Sequence, residues 1–194
     1  MRHNTDQAPS PSQTVGPYFH LGCTATQSVS CLAGPKAKGE RVRLICRVLD
    51  GDGVPVNDSM IEIWQADSEG KYHHPDDPRE KAVDPDCPGF GRLATDEHGI
   101  SVFETIKPGR VPGNNGSLQA PHLNVSVFAR GIMKRLATRI YFAEDRANPE
   151  DPILALVPEE RRTTLMAKPD PHKDGAWRFD IHLCGEDETV FFDV

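Results

Sequence analysis

Cysteine is scarce in this chain, and poorly spaced for any framework role. The five cysteines, Cys23, Cys31, Cys46, Cys87 and Cys184, make an odd count without a single Cys-x-x-Cys pair. That spacing excludes a paired-cysteine zinc site and a secreted disulfide scaffold, leaving reduced thiols in a cytoplasm as the expectation. Positive charge is also short: 22 Lys and Arg stand against 29 Asp and Glu, a formal net charge of -7. With no continuous basic stripe, a nucleic-acid partner is excluded. No apolar run is long enough to cross a bilayer, and the opening MRHNTDQAPSPSQ has no hydrophobic segment for a secretory signal. Absent as well are G-x-S-x-G, H-E-x-x-H, a phosphate-binding P-loop and a dinucleotide fingerprint, which removes the enzyme classes built on them.

What is present is a succession of short alternating segments. At 194 residues the chain has the length of one domain with a sizeable core. Residues 1–13 read as an N-terminal extension, mobile or ordered by a partner, and 14–194 as a single domain. In RVRLICRVLD, Val42, Leu44, Cys46 and Val48 alternate with Arg41, Arg43 and Arg47, the pattern of a half-buried strand. SMIEIWQA, ISVFETI, HLNVSVF, RLATRIYF, WRFDIHL and TVFFDV repeat it. The stretch from Asp67 to Gly99, rich in Pro, Asp and Gly, reads as one long functional loop. A single short helix is expected near the C-terminus, in PEERRTTLMAK, with Pro158 at its start. Many strands and one late helix define an all-β fold, a two-sheet β-sandwich with long loops.

Candidate chemistry is thin on any one motif. In HLNVSVF, strand alternation puts His122 on the face shared by Asn124 and Ser126, opposite Leu123, Val125 and Val127. A His-x-His pair there would be half of a metal site, but the second position is asparagine. Tyr72 follows a strand end, where tyrosine usually packs with its hydroxyl exposed; its other use is as a phenolate donor to a hard ferric ion. His73 and His74 come next, but neighbours on an extended chain point opposite ways, so one at most can join Tyr72. Arg139 either faces a cleft, offering a planar cation to a carboxylate, or faces water as an ordinary solubilising charge.

Several segments taken together resemble one family. PSQTVGPYFHLG, IEIWQADSEGKY, GFGRLATDEHG, TIKPGRV, APHLNVSVFARG, TRIYFAED and WRFDIHLCGEDETVFFDV follow one another from residue 10 to the C-terminus. This ordered series is similar to the intradiol ring-cleaving dioxygenases, specifically to the alpha-type subunit of those members built from alpha–beta protomers. The resemblance implies a non-haem ferric ion held in the beta-type subunit by two tyrosines and a His-x-His pair. Here Tyr72 and His122 match the first of each, while Val111 and Asn124 stand where the other two donors belong, and Gln119 replaces an arginine. Valine has no lone pair and neutral asparagine is a poor substitute for imidazole. The expectation is therefore that this chain binds no metal and pairs with an iron-bearing beta subunit.

The resemblance further implies that protocatechuate and O2 meet at the interface between the subunits. Thr14, Pro17 and Arg139 are then the substrate-side residues of this chain, with Arg139 facing the substrate carboxylate. Two alternatives stay open at this point: a purely structural scaffold subunit, and a self-sufficient metalloenzyme using Tyr72, His73, His74 and His122.

Overall fold

The computed structural model describes residues 11–25, 27–113 and 116–193. Eight strands carry the fold: β1 (Arg41–Leu49), β2 (Met60–Trp64), β3 (Phe90–Ala94), β4 (Ile100–Ile106), β5 (His122–Phe128), β6 (Leu136–Phe142), β7 (Met166–Pro169) and β8 (Ala176–His182). They run in the order β3-β2-β5-β6-β7-β8-β1-β4. The four-residue β7 pairs with β6 on one side and β8 on the other. It thus joins two half-sheets, and all pairings are antiparallel except β6–β7 and β1–β8.

Alternation decides which faces meet. Val42, Leu44, Cys46 and Val48 of β1 turn inward, together with Phe179 and Ile181 of β8 and Phe103 of β4. Against them lie Ile61 and Ile63 of β2, Leu123, Val125 and Val127 of β5, and Ile140 and Phe142 of β6. The half-sheets therefore share one apolar interior, as a sandwich should. Polar members of the same strands face out or toward loops, where Arg47 pairs with Asp180 at 2.7 Å. All five cysteines are free thiols; burial pushes Cys46 far above the usual thiol range and Cys87 up to about 11.

Three local expectations need correction. The helix expected near the C-terminus is a 3-10 turn over Glu159–Leu165, with Pro158 capping it from outside. It cannot continue because Met166 and Ala167 are drawn into β7 beside Tyr141 and Phe142. The described α-helix lies instead at Pro17–Cys23, with Pro17 in its first turn. A helix of one to two turns does not hold by itself, and this one leans on the β5 end through Phe19, whose ring lies 5.5 Å from that of Phe128. Third, Phe90–Ala94 inside the supposed long loop is a strand paired with β2, whereas the described residues of TVFFDV make only an isolated bridge, between Phe192 and Ala137. Of the proposed extension, residues 1–10 lie outside the described residues, and 11–13 are exposed without regular structure. No described helix is long and apolar enough to cross a membrane.

Candidate functional site

Tyr72 is delivered by a loop that Asp67 organises. The buried Asp67 carboxylate accepts the amides of Glu69 at 3.0 Å, Lys71 at 2.9 Å and Asp84 at 3.1 Å. Its carbonyl accepts Gly70 and Gly109 at 3.0 and 2.8 Å, tying the Tyr72 loop to the turn that leads to Val111. Gly70 has a positive φ of 76°, and a side chain on it would strike the Arg110 carbonyl; only glycine permits this crossing. Farther along, the Tyr72 amide donates to Asp77 at 3.0 Å. Arg79 and Lys71 surround Asp77 and hold its carboxyl well below the usual carboxylate range.

The Tyr72 ring lies nearly parallel to Trp64, 9° between planes with centroids 6.1 Å apart. Its hydroxyl accepts a hydrogen bond from Asn124 Nδ2 at 3.2 Å. Burial raises the Tyr72 pKa, an effect offset in part by Asn124 and by the nearby Arg139 cation. A donor pair at two positions of the resemblance thus exists here as a neutral amide bonded to a phenol.

His122 is buried, and its Nδ1 lies 2.8 Å from the Ala120 carbonyl, so Nδ1 carries the proton and Nε2 the lone pair. Burial and the Arg139 cation lower its pKa to about 4. This is the tautomer a ligating histidine adopts, anchored through its other nitrogen. Val111 is buried and engages its surroundings through its carbonyl, which accepts the Gln119 amide at 2.9 Å. Two donors survive, and two cannot define a ferric site; the residues present do not fit one. Among the described residues no three His, Cys, Asp or Glu side chains cluster to hold a metal.

Arg139 belongs to this same cleft. It is the direct cross-strand partner of Asn124, as Tyr141 is of His122. Its Nη1 donates to Gln119 Oε1 at 2.7 Å and to the Tyr141 hydroxyl at 3.4 Å. Tyr141 donates in turn to Asp151 at 3.1 Å. Asp151, fully buried, also accepts the amides of Ala120, Ile153 and Leu154 at 2.7 to 2.9 Å. None of these contacts was visible from spacing, because Asp151 sits in an irregular segment; only the Arg139 candidate and the Gln119 substitution marked the network.

Thr14 and Pro17 lie elsewhere. Thr14 Oγ1 accepts the Gly131 amide at 2.7 Å, which fastens the N-terminal segment to the β5–β6 turn. Pro17 opens the helix that follows. Arg139 is three rungs up the ladder from Val127–Leu136, the pair nearest that turn, about 10 Å along the strand. The structure does not bring the three together; the cation beside Gly131 is the exposed Arg130, paired with Asp58 at 3.1 Å. His73 and His74 are both exposed, and His74 sits edge-on to Trp64 at 6.2 Å, so neither joins Tyr72's hydroxyl. A cleft of about 510 Å³ flanks the site, lined among others by Trp64, His74, Phe90, Asn124 and Arg135.

Comparison with known proteins identifies the family. The dioxygenase family profile matches residues 14–185. The protocatechuate 3,4-dioxygenase alpha chain of Burkholderia cepacia is 43% identical over 198 residues, covering 95% of this chain and 97% of the relative. The alpha chain from Pseudomonas putida is 44% identical, over 95% of this chain and 96% of its own length. The beta chain of the Burkholderia cepacia enzyme is 39% identical, over 78% of this chain and 67% of the relative. Among solved structures, an intradiol ring-cleavage dioxygenase from Tetranychus urticae shares the fold, with a TM-score of 0.64 at 22% identity, over 94% of this chain and 99% of that one. The chain belongs to the intradiol ring-cleavage dioxygenase family and, within it, to the protocatechuate 3,4-dioxygenase alpha-chain type.

Proposed function

We propose that this chain is the metal-free subunit of an intradiol dioxygenase, paired with a homologous beta-type chain that holds the ferric ion. The family is iron-dependent. The single observation that carries the reading is the hydrogen bond from Asn124 to Tyr72: a neutral amide stands at one substituted donor position, and at the other Val111 is buried with a side chain that offers no lone pair. The reaction is cleavage of protocatechuate between its hydroxylated carbons by O2, giving 3-carboxy-cis,cis-muconate with both oxygen atoms incorporated.

In this reading the chain lends walls to its partner's site. The segment from Thr14 to Pro17, pinned at Gly131, continues into a helix that leaves Tyr18 85% and Leu21 57% exposed, a surface suited to contact with another subunit. Thr14 and Pro17 supply the mouth of the shared cleft. Arg139 contributes differently: its Nη1 is held by Gln119 and Tyr141 in the relic site, and we assign it there rather than to the substrate carboxylate.

The test is co-expression with a beta-type chain. The purified complex should consume O2 on protocatechuate, the chain alone should neither retain iron nor react, and Thr14→Ala should raise KM several-fold with a smaller change in kcat. Stoichiometric iron and activity in the chain by itself would refute the proposal; wild-type KM in Thr14→Ala would reduce the chain to a scaffold.

A further inference from the structure

The helix at Pro17–Cys23 is held by few contacts. Of its seven residues only Phe19 and Cys23 are even half-buried, and none is fully buried. Nor does it lie flat on the sheet. A cavity of about 300 Å³ is lined by Phe19, His20 and Thr24 of this segment and by Met60, Ala94 and Thr95 at the paired ends of β2 and β3. A helix this short has no stability of its own, and open space beneath it supplies little.

The flanks of the helix, by contrast, are fixed. Ahead of it, Thr14 Oγ1 accepts the Gly131 amide at 2.7 Å. Behind it, the buried Thr24 donates its backbone amide to the His20 carbonyl at 3.0 Å, and its hydroxyl lies 2.6 Å from His20 Nδ1. Val29 then exchanges two backbone hydrogen bonds with Arg92 of β3, at 2.8 and 2.9 Å. Two anchors leave the stretch between them free to roll about the line that joins them. The Phe19 ring stops that roll: it is tilted 44° against Phe128, with centroids 5.5 Å apart. Phe128 is the last residue of β5 and stands opposite Met60 in the ladder, so the seat belongs to the sheet and not to a loop.

We propose that Phe19 is the positioning residue of the mouth: its seat on Phe128 sets where Thr14 and Pro17 stand against the partner's site. The inference rests on the reading that the Thr14–Pro17 segment lines the shared cleft. Groups that orient a substrate lose their effect steeply when displaced, and a shift of about 1 Å can cost about 100-fold. Alanine at 19 removes the ring and widens the cavity while leaving the Thr14 hydrogen bond able to form, so the segment stays attached but loses its orientation. The consequence falls on substrate capture and spares the iron of the partner.

The alpha–beta complex is prepared with this chain as wild type, Phe19→Ala, Phe19→Tyr, Thr14→Ala and Phe19→Ala/Thr14→Ala, and the intact complex is isolated by size before assay. KM and kcat for protocatechuate are measured together with iron per complex. Phe19→Ala should raise KM several-fold with a smaller change in kcat and unchanged iron, and Phe19→Tyr, which keeps the ring, should restore KM. Because both residues act through one segment, the double variant should exceed Thr14→Ala by less than Phe19→Ala exceeds wild type. Wild-type KM in Phe19→Ala would overturn the inference, as would a rise that Phe19→Tyr fails to restore or that multiplies in full with the effect of Thr14→Ala. Failure of Phe19→Ala to form an intact complex would make Phe19 an assembly contact and overturn it equally. Wild-type KM in Thr14→Ala would instead strike the reading of the mouth itself.

Discussion

At the level of single residues, two buried groups set measurable behaviour. His122 takes up a proton near pH 4 in the folded chain, against about 6.5 when unfolded. Between those values the unfolded state binds more protons, so the contribution of His122 is intact above pH 6.5 and is lost as pH falls toward 4. The loss amounts to about 3 kcal/mol. Urea unfolding of wild type and His122→Gln at pH 7 and pH 4.5 should show the wild type losing more stability on acidification; parallel losses would contradict the buried neutral histidine. Arg139→Gln in the assembled enzyme should leave KM for protocatechuate within about twofold, since one charge-assisted contact to substrate would be worth about 10-fold or more if lost. A KM rise of that size would return Arg139 to the substrate. Sequence alone left this open, because alternation gives the face of a strand but not what the neighbouring loop brings to it.

At the level of elements, legibility followed the hydrophobic period. β1 and β5 could be bounded to within a residue because inward apolar residues alternate along them, and β4 was bounded as well although Ser101 and Thr105 share its inward face with Phe103. β3 was hidden: FGRLA has a glycine where Leu32 and Phe103 crowd the backbone, and its flanks are full of turn formers. β7 was hidden because its pairing is parallel to β6 and long-range, which no local pattern announces. Val111 was legible only through the ordered series of motifs, Tyr72, His122 and Asn124 already stood out by their places on and beside strands, and the hub at Asp151 left no local trace. The crossing of the Tyr72 loop over the Val111 turn yields a prediction of its own. Gly70→Ala meets both a positive φ and the Arg110 carbonyl, and should cost about 2 kcal/mol or more. Equilibrium unfolding reads the cost, and weakened Trp64–Tyr72 near-ultraviolet dichroism should accompany it; an unchanged midpoint would show that the loops can part freely.

For the molecule as a whole, the two half-sheets depend on one interior. Phe103→Ala, at the centre of it, should cost about 3–5 kcal/mol and lower the midpoint of a single unfolding transition. Separate transitions for the two halves would mean the shared core is weaker than its packing implies. The acidic balance of the chain, -7, works against long-range attraction of an anionic ligand.

The place of β8 in the sheet has a temporal consequence. The last of the eight described strands, β8, inserts between β7 and β1, lying parallel to a strand made more than a hundred residues earlier. On the ribosome, the first seven strands can emerge and begin to pair, yet β1 keeps one edge open until residue 176 and beyond have left the exit tunnel. Nascent chains arrested before that point should remain digestible by protease, and emergence of residues 176–182 should convert them in one step to a resistant form.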